Sequence, residues 1–264
     1  MVKVAILGAC GRMGRRLGTL AHQDEHLQVV CAIEREGHED RGKDYGRALG
    51  LADMGVKVGP TLTGHPQVII DFTTPESTTA WVEQARDNGI ALVIGTTGLG
   101  DRELDLIRSA AHQIPIVQAP NMSVGVNLLF RLVGQVAKSL GPEYDIEIVE
   151  AHHRFKKDAP SGTALGLLSS ICDGIGCDAR DVAVFGREGK SAERKKGQIG
   201  VHAVRVGDTV GEHTVYFGTL GETVTIGHSA HSRDTFVLGA LRAARWLEGK
   251  AAGLYSMQDV LFGD

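Results

Sequence analysis

The sequence predicts an α/β protein in which a Rossmann-like, doubly wound parallel sheet is joined to a second α+β domain built on an open mixed or antiparallel sheet. Three observations carry the prediction. Short apolar runs alternate with helix-length runs from Val2 to Asn121, as in βα units laid side by side. A glycine-rich turn follows the first apolar run, and an acidic residue closes the second. Beyond Ser123 the rhythm changes to one long amphipathic helix and then to runs of alternating character.

Val2–Leu7 is a short apolar run, as expected of a strand buried on both faces of a parallel sheet. It ends in Gly8-Ala9-Cys10-Gly11-Arg12-Met13-Gly14, after which residues 15–22 read as a helix. Leu27–Ile33 is a second buried strand and stops at Glu34-Arg35. Strand, glycine turn, helix, strand and acidic residue, in that order, form the dinucleotide-binding arrangement. One glycine permits the tight turn, another lets a pyrophosphate approach the backbone, and a third lets helix and strand pack closely. The helix N-terminus then offers N–H groups and a partial positive charge. The spacing here is G-x-x-G-x-x-G, a weak signal alone, and Glu34, twenty residues after Gly14, supplies the support it needs. A carboxylate at Glu34 suits the adenine-ribose hydroxyls of NAD, while a guanidinium at Arg35 suits the 2′-phosphate of NADP. The pair therefore predicts that NADH and NADPH are both accepted. The competing reading is a solvated charge pair opening a polar loop.

The alternation continues with a strand over 67–73, a helix over 77–88 opened by Thr74-Pro75-Glu76, and a strand over 90–98. A helix over 101–112 and a strand over 114–121 complete the series. Ligands bind at the carboxyl ends of such strands. Asp71-Phe72-Thr73, Gly95-Thr96-Thr97 and Ala119-Pro120-Asn121 all lie there, and their small side chains and exposed amides suit a carboxamide and a ribose.

From Ser123 onward, Val126, Leu129, Val133, Val136 and Leu140 recur at helical spacing. Residues 144–153 alternate Ile146, Ile148 and Glu150 against Asp145, Glu147 and Val149, a half-exposed strand. A helix over 163–173 follows, then runs over 199–208, 211–222 and 223–232 that predict antiparallel strands. An open sheet with an apolar face left over calls for a partner subunit. Residues 233–255 return to helix, with Phe236, Leu241 and Leu247 among their apolar positions. The predicted organisation is a dinucleotide domain over 1–122 plus 234–264, interrupted by a substrate-binding and oligomerisation domain over 123–233.

Composition narrows the function classes. A formal net charge of −4 disfavours wholesale nucleic-acid binding, and no polybasic tail offers itself to a membrane. No apolar stretch approaches the ~20 residues that span a bilayer. Cys10, Cys31, Cys172 and Cys177 lie at spacings unlike a zinc motif or a disulfide framework, which predicts reduced thiols in a cytoplasmic protein. His228 and His231 have a ligand-like spacing without acidic or cysteinyl companions, so they read as structural and no metal is expected.

The stretch EAHHRFKKDAPSGTAL, residues 150–165, concentrates the remaining chemistry. His152, His153, Arg154, Lys156 and Lys157 repel one another unless something anionic sits among them. In a continuing strand the two histidines would face opposite ways. The dense charge and the breaker Asp158-Ala159-Pro160 predict instead that the chain has already left the strand and that both face one cavity. Ser161-Gly162-Thr163 then opens a helix, an anion-binding arrangement of N–H groups and short hydroxyls. Cations on one side and a helix N-terminus on the other suit a small substrate with two carboxylates. The plainer alternative makes Ser161 an N-cap, Lys157 a solvated charge and either histidine a structural residue.

This segment resembles the signature of the 4-hydroxy-tetrahydrodipicolinate reductase (dihydrodipicolinate reductase) family, E-x-H-H-x-x-K-x-D-x-P-S-G-T-A. The stretches GACGRMGR, VIGTTG, APNMSVGVN, GVHAVRVGDTVGEHTV and HSAHSRDTF are similar to that family in the same order, so the resemblance covers essentially the whole chain. It implies NAD(P)H-dependent reduction of a cyclic dicarboxylate imine in diaminopimelate and lysine synthesis. His152 would be the acid/base histidine and Lys156 the proton donor. His153, Ser161, Gly162 and Thr163 would hold the substrate. Gly8 to Met13, Glu34 and Arg35, Gly95 to Thr97, and Ala119 to Met122 would bind the cofactor. A homotetramer built through the C-terminal sheet, without a metal, is implied as well. Two rivals are weighed against this reading. Another Rossmann-fold dehydrogenase of aspartate-family metabolism is the nearer, but its aldehyde-oxidising members need a cysteine nucleophile in an active-site turn. A non-catalytic nicotinamide-dinucleotide sensor would leave the His152/Lys156 cluster idle.

Overall fold

The glycine turn joins β1 (Val2–Leu7) to α1 (Arg12–Gln23), and β2 (Leu27–Ile33) follows in the computed structural model, which describes residues 1–190 and 192–263. The short α2 (Tyr45–Leu49) and β3 (Val58–Gly59) come next, then β4 (Val68–Asp71), α3 (Pro75–Asn88), β5 (Ala91–Ile94), α4 (Asp101–Ala110) and β6 (Pro115–Gln118). After α5 (Val124–Leu140) come β7 (Asp145–His152), α6 (Gly162–Ile175), α7 (Ala179–Val182), β8 (Ala183–Phe185), β9 (Ile199–Arg205), β10 (Gly211–Thr219) and β11 (Glu222–Ala230). The chain closes with α8 (Asp234–Trp246), β12 (Gly253–Tyr255) and α9 (Met257–Phe262). It divides into two units, Met1–Val124 together with the stretch from Asp234, and Gly125–Arg233. Among the described residues no helix is long and apolar enough to cross a membrane.

The first unit is a seven-stranded sheet in the order β12-β6-β5-β4-β1-β2-β3, with every pair parallel. Alternate residues of each strand enter opposite layers. Val4, Ile6, Ile70 and Val93 pack with Leu17 of α1 and Leu241 of α8, while Ala5, Ile69, Leu92 and Ile94 pack with Val82 of α3 and Ile107 of α4. This is why the strands read as nearly unbroken apolar runs. Strand order reverses at β1, so the carboxyl ends of β1 and β4 frame the crevice where ligands of such sheets bind. Helix α3 starts where the sequence places it: the Thr74 hydroxyl accepts from the Ser77 N–H, Pro75 opens the first turn, and Gly89 ends the helix at φ 65°. Residues 233–255 do not form the single helix expected. Helix α8 ends at Trp246, Gly249 turns the chain at φ 73°, and β12 joins the sheet edge beside β6.

The second unit is a five-stranded sheet in the order β11-β10-β7-β9-β8. Strands β7, β10 and β11 pair antiparallel as expected. Strand β9, expected antiparallel, runs parallel to both β7 and β8. The reason is topological: α6 carries the chain back along the sheet before β8 and β9, and a crossover of that kind returns a strand in the parallel sense. Helices α5 and α6 cover one face through Leu129, Val133, Leu167 and Ile171 against Ile146, Ile148, Val215 and Phe217. The two helices approach so closely that a Cβ at Gly134 would lie 2.6 Å from the Ser170 carbonyl oxygen. Val204 and Tyr216 of the opposite face remain 43% and 39% exposed.

Candidate active site

In the first unit a cavity of about 680 Å³ opens at the carboxyl ends of β1, β2 and β4, lined by Gly8, Gly11, Glu34, Arg35, Phe72 and Thr73 among others. Gly8 takes φ 60°, a conformation costly for any residue with a Cβ. Gly14 lets α1 sit against the turn, since a Cβ there would fall 2.1 Å from the Gly8 oxygen. The N-cap of α1 is Gly11, which offers no side-chain cap, so an external anion can take that role. Arg12 is exposed on the first turn, Met13 is half-buried, and Ala9 and Cys10 are buried.

Glu34 is buried at the end of β2, where Oε2 accepts from the Cys10 N–H at 3.0 Å and Oε1 from the Arg35 N–H at 3.0 Å. The carboxylate is thereby fixed beside the glycine turn, and the Arg35 side chain stands exposed next to it. Burial, and then Glu34 itself, push the Cys10 thiol up to about 11, so it stays protonated at neutral pH. At β4 the buried Asp71 accepts from the Thr73 N–H and hydroxyl and from the Thr78 hydroxyl, which sets the course of the loop. Thr73 also donates its N–H to Thr96 Oγ1 at 3.0 Å, tying the ends of β4 and β5 together. The Phe72 ring lies over Gly95, where a Cβ would meet ring carbon Cε1 at 2.3 Å. Thr97 and Pro120 are exposed, Ala119 is buried, and Asn121 accepts the Ser123 N–H on Oδ1. Met122 is buried beneath α8, with its carbonyl against Gly239. The uncapped helix start, the glycine turn and the fixed acid together fit a dinucleotide.

Sequence reasoning missed two supports of this turn. The Tyr45 hydroxyl lies 3.1 Å from the Ala9 carbonyl and 2.8 Å from the Gly14 carbonyl, holding the turn from beneath. Arg15 reaches Asp40 at 2.6 Å and also bonds the Cys10 carbonyl, and Lys43 takes the other Asp40 oxygen at 2.7 Å. Cys10, His38 and Asp40 bring donor atoms within 4.8 Å of one another. Both Asp40 oxygens are already committed to these cations, and the Lys43 bond holds the carboxyl below its ordinary range.

In the second unit the double-histidine segment departs from expectation at one point. Strand β7 continues through His152, so the chain leaves the sheet one residue after it rather than before. His152 is buried on the helix-facing side with Ile146, Ile148 and Glu150, while His153 begins the turn that follows. His153 Nδ1 is buried without a hydrogen-bond partner among the described residues, and its ring centroid lies 6.4 Å from that of Phe155. The anions that offset the basic run belong to the chain itself. Lys156 Nζ pairs with Asp158 at 2.9 Å, which holds the Asp158 carboxyl below its usual range. Glu150 pairs with Arg205 and with His152 Nδ1. Lys157 is exposed, in keeping with a solvated charge.

Burial pushes the His152 imidazole below its ordinary value, against the opposing bond to Glu150. Burial also opposes charge on Glu150, yet the Arg205 fork, His152 and the Ser161 N–H together hold its carboxyl below the usual range. The pair is thus a neutral histidine donating Nδ1–H to a carboxylate, with Nε2 left to exchange a proton. Ser161 is buried at the N-cap of α6, where its oxygen accepts the Ala164 N–H at 3.2 Å and its hydroxyl faces His213 Nε2 at 3.3 Å. Its hydroxyl is therefore committed inside the unit, and it serves the expected substrate site as a cap. Gly162 is exposed, with open space where its Cβ would be, and Thr163 is half-buried beside it. Arg205 and His213 are the residues sequence reasoning missed here.

Known proteins match the chain over its whole length. The family model for "Dihydrodipicolinate reductase, N-terminus" matches residues 2–122, and that for "Dihydrodipicolinate reductase, C-terminus" matches residues 125–261. The chain is 48% identical over 264 residues to the 4-hydroxy-tetrahydrodipicolinate reductase of Hahella chejuensis, with 99% of each chain covered. It is 47% identical over 262 residues to that of Alkalilimnicola ehrlichii, with 98% of each covered. Among solved structures, the dipicolinate-bound dihydrodipicolinate reductase of Paenisporosarcina sp. TG-14 shares the fold, with a TM-score of 0.76 at 24% identity over 98% of both chains. With both halves matched by one family and relatives alike from end to end, the chain belongs to the dihydrodipicolinate reductase family.

Proposed function

We propose that the chain reduces 4-hydroxy-tetrahydrodipicolinate, once its 4-hydroxyl has left as water to give the conjugated imine, to tetrahydrodipicolinate at the expense of NADH or NADPH, a step of diaminopimelate and lysine synthesis. The observation that carries the site assignment is the buried Glu150–His152 pair lying one hydrogen bond from the N-cap of α6. It sets a proton-exchanging nitrogen beside a helix start able to receive a carboxylate.

The cofactor, when bound, supplies a hydride to the ring carbon conjugated with the imine. The glycine turn and the start of α1 receive its pyrophosphate, and Phe72, Gly95 to Thr97 and Ala119 to Met122 line the nicotinamide side. Glu34 takes the adenine-ribose hydroxyls and Arg35 a 2′-phosphate, so either cofactor is used. His153 and the N–H groups of Gly162 and Thr163 hold the two carboxylates of the substrate. Lys156 delivers the proton, and His152 exchanges protons through Nε2. The test follows oxidation of NADH and NADPH by absorbance, with substrate made freshly from aspartate semialdehyde and pyruvate by the preceding enzyme. Substrate-dependent oxidation with both cofactors is expected, and Lys156→Met should lower kcat by ~10²-fold or more, the usual worth of a positioned acid. An unchanged kcat in that variant would remove Lys156 from the mechanism.

The chain assembles as a homotetramer through the second unit's sheet, a reading supported by the exposed Val204 and Tyr216 on its uncovered face. Sedimentation of the active enzyme should give the mass of four chains. A fully active monomer would rule the assembly out.

A further inference from the structure

Glu150 is the most enclosed carboxylate of the second unit, at 0% exposure, and its bonds reach beyond His152. Four donors converge on it. Oε2 accepts from His152 Nδ1 at 2.5 Å and Arg205 Nη1 at 2.9 Å, while Oε1 accepts from Arg205 Nη2 at 2.9 Å and the Ser161 N–H at 3.0 Å. Those bonds use all the acceptor capacity of a carboxylate. Arg205 does more than balance the charge, because Nη2 also donates to the Asp158 carbonyl at 2.5 Å, in the loop that carries Lys156.

We infer that Glu150 and Arg205 are coupled positioning residues: one carboxylate orients His152 and seats the head of α6, while one guanidinium holds that carboxylate and the Lys156 loop. This rests on reading His152 and Lys156 as the proton-moving groups. Three observations support the coupling. With Nδ1–H pinned to an anion, the free lone pair of His152 is on Nε2. Gly211 keeps that nitrogen clear, since a Cβ there would stand 3.1 Å from it. At α6 the Ser161 oxygen receives the Ala164 N–H and lies 3.3 Å from His213 Nε2, so the residue whose N–H Glu150 holds is itself anchored to α6 and to β10. A buried ion pair adds little to stability that well-packed apolar groups would not. Here the bonds of the pair, apart from one from Arg205 Nη1 to the Val204 carbonyl, end on His152, on Ser161 at the head of α6 and on the Asp158 carbonyl beside Lys156.

The groups facing His152 are Glu150 on its own strand, Arg205 on β9, Lys156 in the following turn and His213 on β10, whose ring centroid is 5.2 Å away. Among them only Glu150 favours the imidazolium. Removing its charge should lower the His152 pKa further and carry the acid limb of the kcat/KM profile to lower pH. The full-length enzyme is compared with Glu150→Gln, Glu150→Asp and Arg205→Met by kcat, KM, pH profile and thermal midpoint, with His152→Gln and Lys156→Met alongside. Glu150→Gln should lose ~10- to 100-fold in kcat, the usual effect of losing a partner that orients a working histidine. Its acid limb should move down, and KM for the substrate should rise. Glu150→Asp keeps the charge on a shorter arm, so kcat should fall with the limb in place. Arg205→Met should lose kcat and raise KM together. A folded Glu150→Gln enzyme with the parental pH profile, or losses confined to the thermal midpoint, would overturn the coupling. If Glu150→Gln does not fold, Glu150→Asp decides the matter, and a parental kcat there overturns the coupling. Parental rates in His152→Gln and Lys156→Met would instead overturn the site assignment beneath it.

Discussion

Gly95 shows how one missing methyl group shapes a binding surface. Because nothing projects from it, the Phe72 ring can lie across the backbone at the carboxyl end of β5. Gly95→Val should force the ring aside at a cost of roughly 1–3 kcal/mol of overpacking, some of it taken from cofactor affinity. KM for NADH should rise ~10-fold with kcat at saturation largely kept, as titration of the cofactor at fixed substrate would show, and an unchanged KM would take Phe72 out of the cofactor surface. At this scale much of the site is legible in the sequence. Glu34, the glycine turn and the double-histidine segment announce themselves through local spacing. Tyr45, Arg205 and His213 do not, because they reach Ala9, Glu150 and Ser161 across 36, 55 and 52 residues of chain. Glu150 lies between these cases. A carboxylate on the same row as Ile146 and Ile148 already demands a buried partner, and that demand is visible in the alternation alone.

Among elements, those with a full period in the sequence appear where they are expected. Strands β1 and β2 match to the residue, since an apolar run bounded by glycine or charge leaves little freedom at its ends. The short elements α2, β3, β8 and α9 hold too few residues to establish a period, so the pattern does not reveal them. Strand β12 hides in a stretch that predicts helix because three residues cannot outweigh the helical pattern before them, although Gly249 marks the break. The direction of β9 escapes for another reason. Composition reports whether a residue faces the core, whereas parallel or antiparallel pairing is decided by the path of the connection through α6, α7 and β8.

For the whole molecule, the change of rhythm after Ser123 and the return to helix after Arg233 are readable because the hydrophobic period itself changes. Stability against pH is also decided at this scale. His213 is held neutral, its pKa pushed from 6.5 down to about 4 mainly by burial and then by His152. As pH falls the unfolded chain takes this proton first, so the stability present above 6.5 is lost progressively towards 4, on the order of 3 kcal/mol over that window. His152 and His228 are lowered as well and act in the same direction. Glu147 and Glu150, whose folded values are lowered from 4.5, add stability above that value and lose it below. The thermal midpoint should therefore fall on acidification from pH 6.5 to 4, and His213→Asn should flatten the slope; a midpoint indifferent to pH across this window would contradict the account. The interrupted layout of the first unit has a consequence for how the protein is made. Helix α8 supplies Val237, Ala240, Leu241 and Ala244 to the core beneath β1, and the Arg16–Asp234 ion pair, at 2.6 Å, ties its first residue to α1. Translation delivers these residues after every strand of the second unit. On the ribosome the unit that starts first must finish last, and a chain released short of Asp234 leaves the part of this layer that α8 covers, over β1, β4 and β5, facing water, ready for a chaperone or an aggregate to cover.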